Sequence, residues 1–174
     1  MSQRRIDLVW GLCRIGLGFI FFWSFLDKLF GLGYTTCRDQ VGVVVQFCEQ
    51  AWVKGGSPTT GFLRTASVGS PIEQTLQSMA GDRLWDWVFM IGLAGIGVAM
   101  ILGIGMRIAT LSGVIMMGMI YLALYPPANN PFMDEHLVYT LLFIGLAQVN
   151  STQALGFGRA WSRLRLVNKY KFLQ

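Results

Sequence analysis

The only histidine of this 174-residue chain, His136, follows two acids in "PFMDEHLVYTLLF". An imidazole held by a carboxylate can take and return a proton near neutral pH. A second group, Asp27 and Lys28, closes the aromatic run "FIFFWSFLDKLFG", and a third, Asp82, Arg83 and Asp86, opens the next apolar run in "GDRLWDW". All three groups stand where an apolar segment begins or ends. Ionisable residues in such positions are costly to bury and often functional, yet acids also cap helix starts and long cations snorkel to water. Asp82, Asp134 and Glu135 fit the capping role. Asp27, Lys28 and Asp86 lie deeper in their runs and fit a buried polar network. If three helix ends meet at one surface, His136, Asp27 and Asp134 become candidates for proton exchange. Lys28, Arg83 and Asp86 would then attract an anion or a quinone oxygen, with Trp23 walling a flat ring. A histidine exposed at an interface is the plain alternative for His136, and core packing is the plain alternative for Trp23.

The elements that must position these groups are membrane helices. Hydrophobic residues make up 53% of the chain and charged residues 13%, and mean hydropathy is +0.50. A soluble domain carries about twice that charge. Four apolar segments stand out, predicting helices over about 8–30, 84–104, 108–125 and 134–151. The last reaches the roughly 17–25 residues of a span only by starting at Asp134 and running past Asn150. The expected fold is an all-α, antiparallel bundle of four transmembrane helices forming a single domain over 1–174. "MSQRR" resembles the start of a signal peptide, but Arg14 interrupts the apolar run and no cleavage site follows, so a retained first helix is expected. Arg14 is either snorkelling to lipid phosphate or paired inside the bundle. Lysines and arginines concentrate on one side: Arg4, Arg5, Arg107, Arg159, Arg163, Arg165, Lys169 and Lys171. Both termini are therefore expected in the cytoplasm, with a basic tail over 156–174 either resting on anionic lipid or solvated. The net charge of +5 forms no patch that would suit nucleic acid.

Residues 31–83 make a long outer loop. In it, "SPIEQTLQSMAG" predicts a short amphipathic helix, with Ser70 as N-cap, Pro71 first and Glu73 completing a capping box. Its apolar face of Ile72, Leu76 and Met79 would lie on the membrane boundary as a lid. Cys37 and Cys48 share this loop, on the oxidising side, where a pair usually bridges. A structural disulfide is the first reading and a redox-active dithiol the second; Cys13 packs as a small hydrophobe. Between the second and third helices, "GIGMR" predicts a tight turn. Gly92, Gly95, Ala99 and Gly103 give a small-residue stripe suited to close helix packing, with a ligand cleft beside those glycines as the minority reading.

Several sites are missing from the sequence. There is no second histidine for a bis-histidine haem, no haem-attachment motif, no zinc spacing, no P-loop and no dinucleotide fingerprint. No bound haem or metal is therefore expected. The stretches "RIGLGFIFFWSFLDKLFG", "GIGVAMILGIGMRIATLSG", "GGSPTTGFL" and "PPANNPFMDEHLVYTLLFIGLA" resemble the DoxX family of bacterial membrane proteins, in the branch grouped with the DoxD-type small subunit of thiosulfate:quinone oxidoreductase. The resemblance runs from about Arg14 to Leu166. It implies a four-helix membrane bundle in the bacterial cytoplasmic membrane. It also implies oxidation of thiosulfate or a related sulfur compound at the outer face, with quinone as membrane-borne acceptor. A second redox subunit and an oligomer are compatible with it. The resemblance further implies that the stretch from Cys37 to Cys48 is an insertion closed by its own cysteines. The competing expectation is a non-enzymatic accessory or assembly subunit, or a lipid- or small-molecule-binding membrane protein.

Overall fold

The computed structural model describes residues 2–39, 41–128, 130, 132–149 and 155–173. Among them the chain is helical, with one isolated antiparallel bridge between Arg38 and Val44. Helices α1 (Gln3–Phe30), α3 (Arg83–Leu102) and α4 (Met106–Ala123) are each long and apolar enough to cross a membrane. Between α1 and α3 lies the short helix α2 (Glu73–Met79), preceded by a 3-10 turn (Trp52–Lys54) and a π-helical turn (Phe62–Ala66). Helix α5 (Glu135–Gln148) follows α4, and two five-residue helices, α6 (Gly158–Ser162) and α7 (Arg165–Lys169), make up the tail.

At 28 residues α1 is about 42 Å long and overshoots a ~30 Å hydrocarbon core, with its polar residues at the N-terminal end and its apolar run reaching Phe30. Helix α5, at 14 residues, is about 21 Å long. It begins where the sequence predicts, with Asp134 as its N-cap, but ends at Gln148, and Val149 is extended. The expected continuation past Asn150 lies outside the described residues.

Packing runs in two antiparallel pairs. Helix α1 lies chiefly on α3, and α5 chiefly on α4. The α3–α4 turn is made by Gly103 and Gly105, both left-handed (φ 71° and 57°), a conformation that side chains with a Cβ avoid. The α1–α3 seam is closer than side chains allow. A Cβ on Gly18 would stand 2.7 Å from Met100 Cβ, and one on Gly97 would stand 2.7 Å from the Phe22 nitrogen. Of the stripe expected at Gly92, Gly95, Ala99 and Gly103, Ala99 packs on the core and Gly103 lies close to Arg14, while the closest approach of α1 and α3 falls at Gly18 and Gly97. Gly95 has nothing within 4 Å, and Gly92 meets only the mobile end of Met116. Phe143 is fully buried where the pairs join, edge-on to Phe21 at 5.4 Å and flat against Gly113.

The outer faces of the helices are as apolar as the core. Ile108, Leu111, Ile115, Met119 and Leu122 form one exposed stripe along α4, and Val138, Leu141 and Ile144 do the same on α5. A surface of this kind suits lipid, in keeping with three helices long and apolar enough to cross a membrane.

Arg14 is fully buried and, among the described residues, pairs with no acid. Its guanidinium donates to the carbonyls of Met100 and Ile101, at the end of α3, and to that of Leu155. The C-terminal end of a helix carries partial negative charge and unpaired carbonyls, which is the environment a buried cation needs. Arg14 is thus paired inside the bundle, with backbone instead of a carboxylate. The tail is packed too: Val167 is buried, the last 3-10 turn (Lys171–Leu173) meets α4, and Trp161 donates to the Leu173 carbonyl at 2.6 Å. The tail end of the molecule is therefore the end holding Arg14, the α3–α4 turn and α6–α7; the loop end holds residues 31–82.

Candidate functional site

The concave feature of the loop end is a cleft of about 430 Å³ between the last turn of α1 and the first turns of α3. Leu29, Trp52, Val53, Ser57, Arg83, Asp86 and Trp87 line it, with Gly55, Gly56 and Gly81. Trp52 and Trp87 meet edge to face, with ring centroids 4.6 Å apart. The cleft therefore has aromatic walls, a cation at its rim and an acid at its base.

Asp86 explains how the walls hold. It is only 4% exposed, and its Oδ1 accepts three hydrogen bonds, from Ser57 Oγ (2.8 Å), Thr59 Oγ1 (2.6 Å) and Thr59 N (3.2 Å). Ser57 Oγ in turn accepts from Thr60 N (3.2 Å) and Thr60 Oγ1 (2.6 Å). A buried carboxylate is tolerable when donors surround it, and the turn "GGSPTTG" supplies them. Gly56 is required for the close approach: a Cβ there would lie 2.2 Å from the Gln50 carbonyl oxygen. Trp52, Ser57, Thr59 and Leu29 are the residues of this site that sequence reasoning did not single out. The hydroxyls in a glycine-rich turn, facing an acid one turn inside an apolar helix, were the available signal. Arg83 is exposed at the rim and makes no ion pair among the described residues.

The other candidates lie elsewhere. Asp27 is buried, accepting from Tyr34 N (3.0 Å), Thr35 N (2.9 Å) and Thr35 Oγ1 (2.7 Å), and Lys28 Nζ donates to the same Thr35 hydroxyl at 3.0 Å. Both carboxylate oxygens are thus engaged in turning the chain out of α1. Trp23 packs on Phe19 and Tyr34 (centroids 6.0 and 5.2 Å), off the cleft. His136 bonds through Nδ1 to Asp134 Oδ2 at 2.7 Å. Asp134 Oδ1 also caps α5, accepting from the amides of His136 and Leu137, as Asp82 caps α3 through Leu84 N. The three groups expected to form one ring of charges are each held by their own partners. Among the described residues no hydrogen bond or ion pair joins His136 to Asp27, Lys28 or Arg83. The reason is the pairing of helices: the cleft forms where α1 meets α3, while His136 starts α5, which packs on α4. Asp134, Glu135 and His136 offer ligand atoms within 4.8 Å of one another, but both oxygens of Asp134 are already used in capping and in holding the imidazole.

The disulfide is present between Cys37 and Cys48, with Cα atoms 5.6 Å apart, and Cys13 is free. The lid helix starts at Glu73, later than the sequence predicts. Ser70 Oγ accepts from Ile72 N and Glu73 Oε2 accepts from Gly69 N, so the reciprocal cap is displaced from the expected pairing. Leu76 is buried against Leu63 and Ala123, and Ser70 Oγ donates to the Leu122 carbonyl at 2.7 Å. The lid is docked on the end of α4.

No protein family, curated protein or solved structure matches this chain.

Proposed function

We propose that this protein is a four-span subunit of a bacterial cytoplasmic membrane that binds a quinone-type ring in the loop-end cleft, as part of a quinone-linked redox system. The observation that carries the reading is the cleft itself. Its volume of about 430 Å³ falls in the range of small-molecule sites, and it places two indole walls beside Arg83. Aromatic faces suit a flat ring, and a guanidinium suits a carbonyl oxygen or an anion. The resemblance to DoxX proteins adds thiosulfate or a related sulfur compound as electron donor at the outer face. The exposed apolar stripe of α5 supports a fourth crossing. The excess of lysine and arginine at the tail end supports cytoplasmic termini.

A second reading is a non-enzymatic binder or accessory subunit. The observation favouring it is that His136, bonded to Asp134, is not among the residues lining the cleft, which leaves the cleft without its expected proton-exchanging imidazole. Purified protein extracted for bound quinone, titrated with a short-chain quinone by tryptophan quenching and assayed for thiosulfate-dependent quinone reduction separates the readings. Binding that is weakened by Trp87→Ala, together with turnover lost in Arg83→Gln, supports the first. Binding without turnover supports the second. No binding at all overturns both as cleft functions.

A further inference from the structure

The disulfide-closed loop that follows α1 has an unusual surface. Val41 is 88% exposed, and Val43, Val45 and Phe47 are exposed as well. Four large apolar residues in one short hairpin would be a liability in water. Their neighbour Val44 packs against Gly33, where a Cβ would stand 2.1 Å from Val44 Cγ1, and at 38% is the least exposed of the four valines. The alternation across the Arg38–Val44 bridge thus turns Val43 and Val45 outward together.

Much of the hairpin's backbone is hydrogen-bonded within the loop, while the side chains of Arg38, Asp39 and Gln46 are exposed. Asp39 Oδ1 accepts from Val41 N (3.0 Å) and Val43 N (2.7 Å), and the Asp39 carbonyl accepts from Gly42 N (3.1 Å). Asp39 N donates to the Val43 carbonyl, and Val45 N donates to the Cys37 carbonyl. Backbone that enters an apolar medium must have its donors satisfied internally, and a loop bound for water has no need of this. The loop is also fixed to a membrane helix. Phe47 N donates to the Gly31 carbonyl at the end of α1, and the Phe47 ring meets that of Phe30 with centroids 6.4 Å apart. The apolar surface therefore continues from the exposed Phe30 onto the loop.

We propose that this hairpin inserts Val41, Val43, Val45 and Phe47 into the bilayer leaflet at the loop end, making a second, disulfide-held membrane contact beside α1. The occupant is lipid because the patch is continuous with the exposed apolar end of α1 at Phe30, and because the exposed Arg38 and Asp39 at its base give it a polar rim. The bridge between Cys37 and Cys48 holds the shape before insertion, so little ordering entropy opposes it.

The full chain, with a benzophenone amino acid at position 41 or 43, is reconstituted in vesicles of phosphatidylcholine and phosphatidylglycerol and irradiated. A mass shift by one phospholipid is expected at both positions, about tenfold above the same probe at the exposed Lys54, the ratio expected when burial of one valine separates two environments. Position 44, packed against Gly33 and less exposed than position 41, should give fewer lipid adducts than 41. Position 41 touches no packed neighbour, so it reads the loop even if the probe at 43 disturbs it; peptide mapping of the Cys37–Cys48 bridge reports that the fold is kept. Adducts joining two protein chains at 41 and 43, or lipid adducts no more frequent than at Lys54, overturn the proposal.

Discussion

Two glycines one residue pair apart on α3 should respond in opposite ways to the same substitution. A Cβ at Gly97 would meet Phe22 of α1 at 2.7 Å (N), 2.8 Å (Cβ) and 2.9 Å (Cα), all of it helix backbone or the root of a side chain, which cannot swing away. At Gly95 a Cβ meets nothing within 4 Å. Overpacking a closed seam costs about 1–3 kcal/mol. Alanine is a better helix former than glycine by about 0.8–1.0 kcal/mol, and this gain applies at both positions. Gly95→Ala should therefore leave stability unchanged or raise it by up to about 1 kcal/mol. Gly97→Ala should lower it by up to about 2 kcal/mol, net of the same gain. The difference between the two variants cancels propensity and isolates the seam, at about 1–3 kcal/mol. Unfolding of the purified protein in mixed micelles by increasing mole fraction of sodium dodecyl sulfate, followed by circular dichroism, measures it. If the two variants differ by less than about 0.5 kcal/mol, within the scatter of surface substitutions, α1 and α3 do not touch at Gly97.

Asp86→Ala removes the shared acceptor of Ser57 and Thr59 and should cost about 3 kcal/mol, with Asp86→Asn costing less because Oδ1 remains an acceptor; the same unfolding assay, with limited proteolysis at 57–60, checks it. Arg14→Met and Arg14→Lys should both destabilise by about 2 kcal/mol, since an ammonium cannot span carbonyls of Met100, Ile101 and Leu155 as a planar fork does; a lysine variant as stable as the parent would sink the carbonyl-clamp account. Replacing Cys37 and Cys48 together by serine should lower stability by about 2–3 kcal/mol in the chain-entropy view of a loop this short. Non-reducing peptide mapping of the parent should find that pair linked and Cys13 alkylated.

Much of the local structure was legible in contiguous residues. Asp82 and Asp134 mark the starts of α3 and α5 because an N-cap acts on amides two and three positions away. "GIGMR" predicts the α3–α4 turn because left-handed backbone selects glycine. The cysteine pair predicts its own bridge, since both residues lie in one loop. The lengths of the apolar runs locate α1, α3 and α4. Even the deeper acids, Asp27 and Asp86, are recognisable as members of buried polar networks from their distance inside their runs.

Which helix lies against which was decided only by the tertiary structure. That choice placed Gly97 in a seam and left Gly95 open. It made Arg14 a clamp on the end of α3 where the sequence left two alternatives. It built the cleft from Trp52 and the Ser57–Thr59 turn, brought Arg83 and Asp86 to it, and left Trp23, Asp27, Lys28 and His136 elsewhere. In a soluble helix the polar stripe reveals which face turns inward. Here the outward stripe of α4, from Ile108 to Leu122, is as apolar as the buried Met106, Ala109 and Met117 on its other side. With lipid on one face and core on the other, hydrophobic periodicity carries no direction, and only contacts between distant segments can supply it.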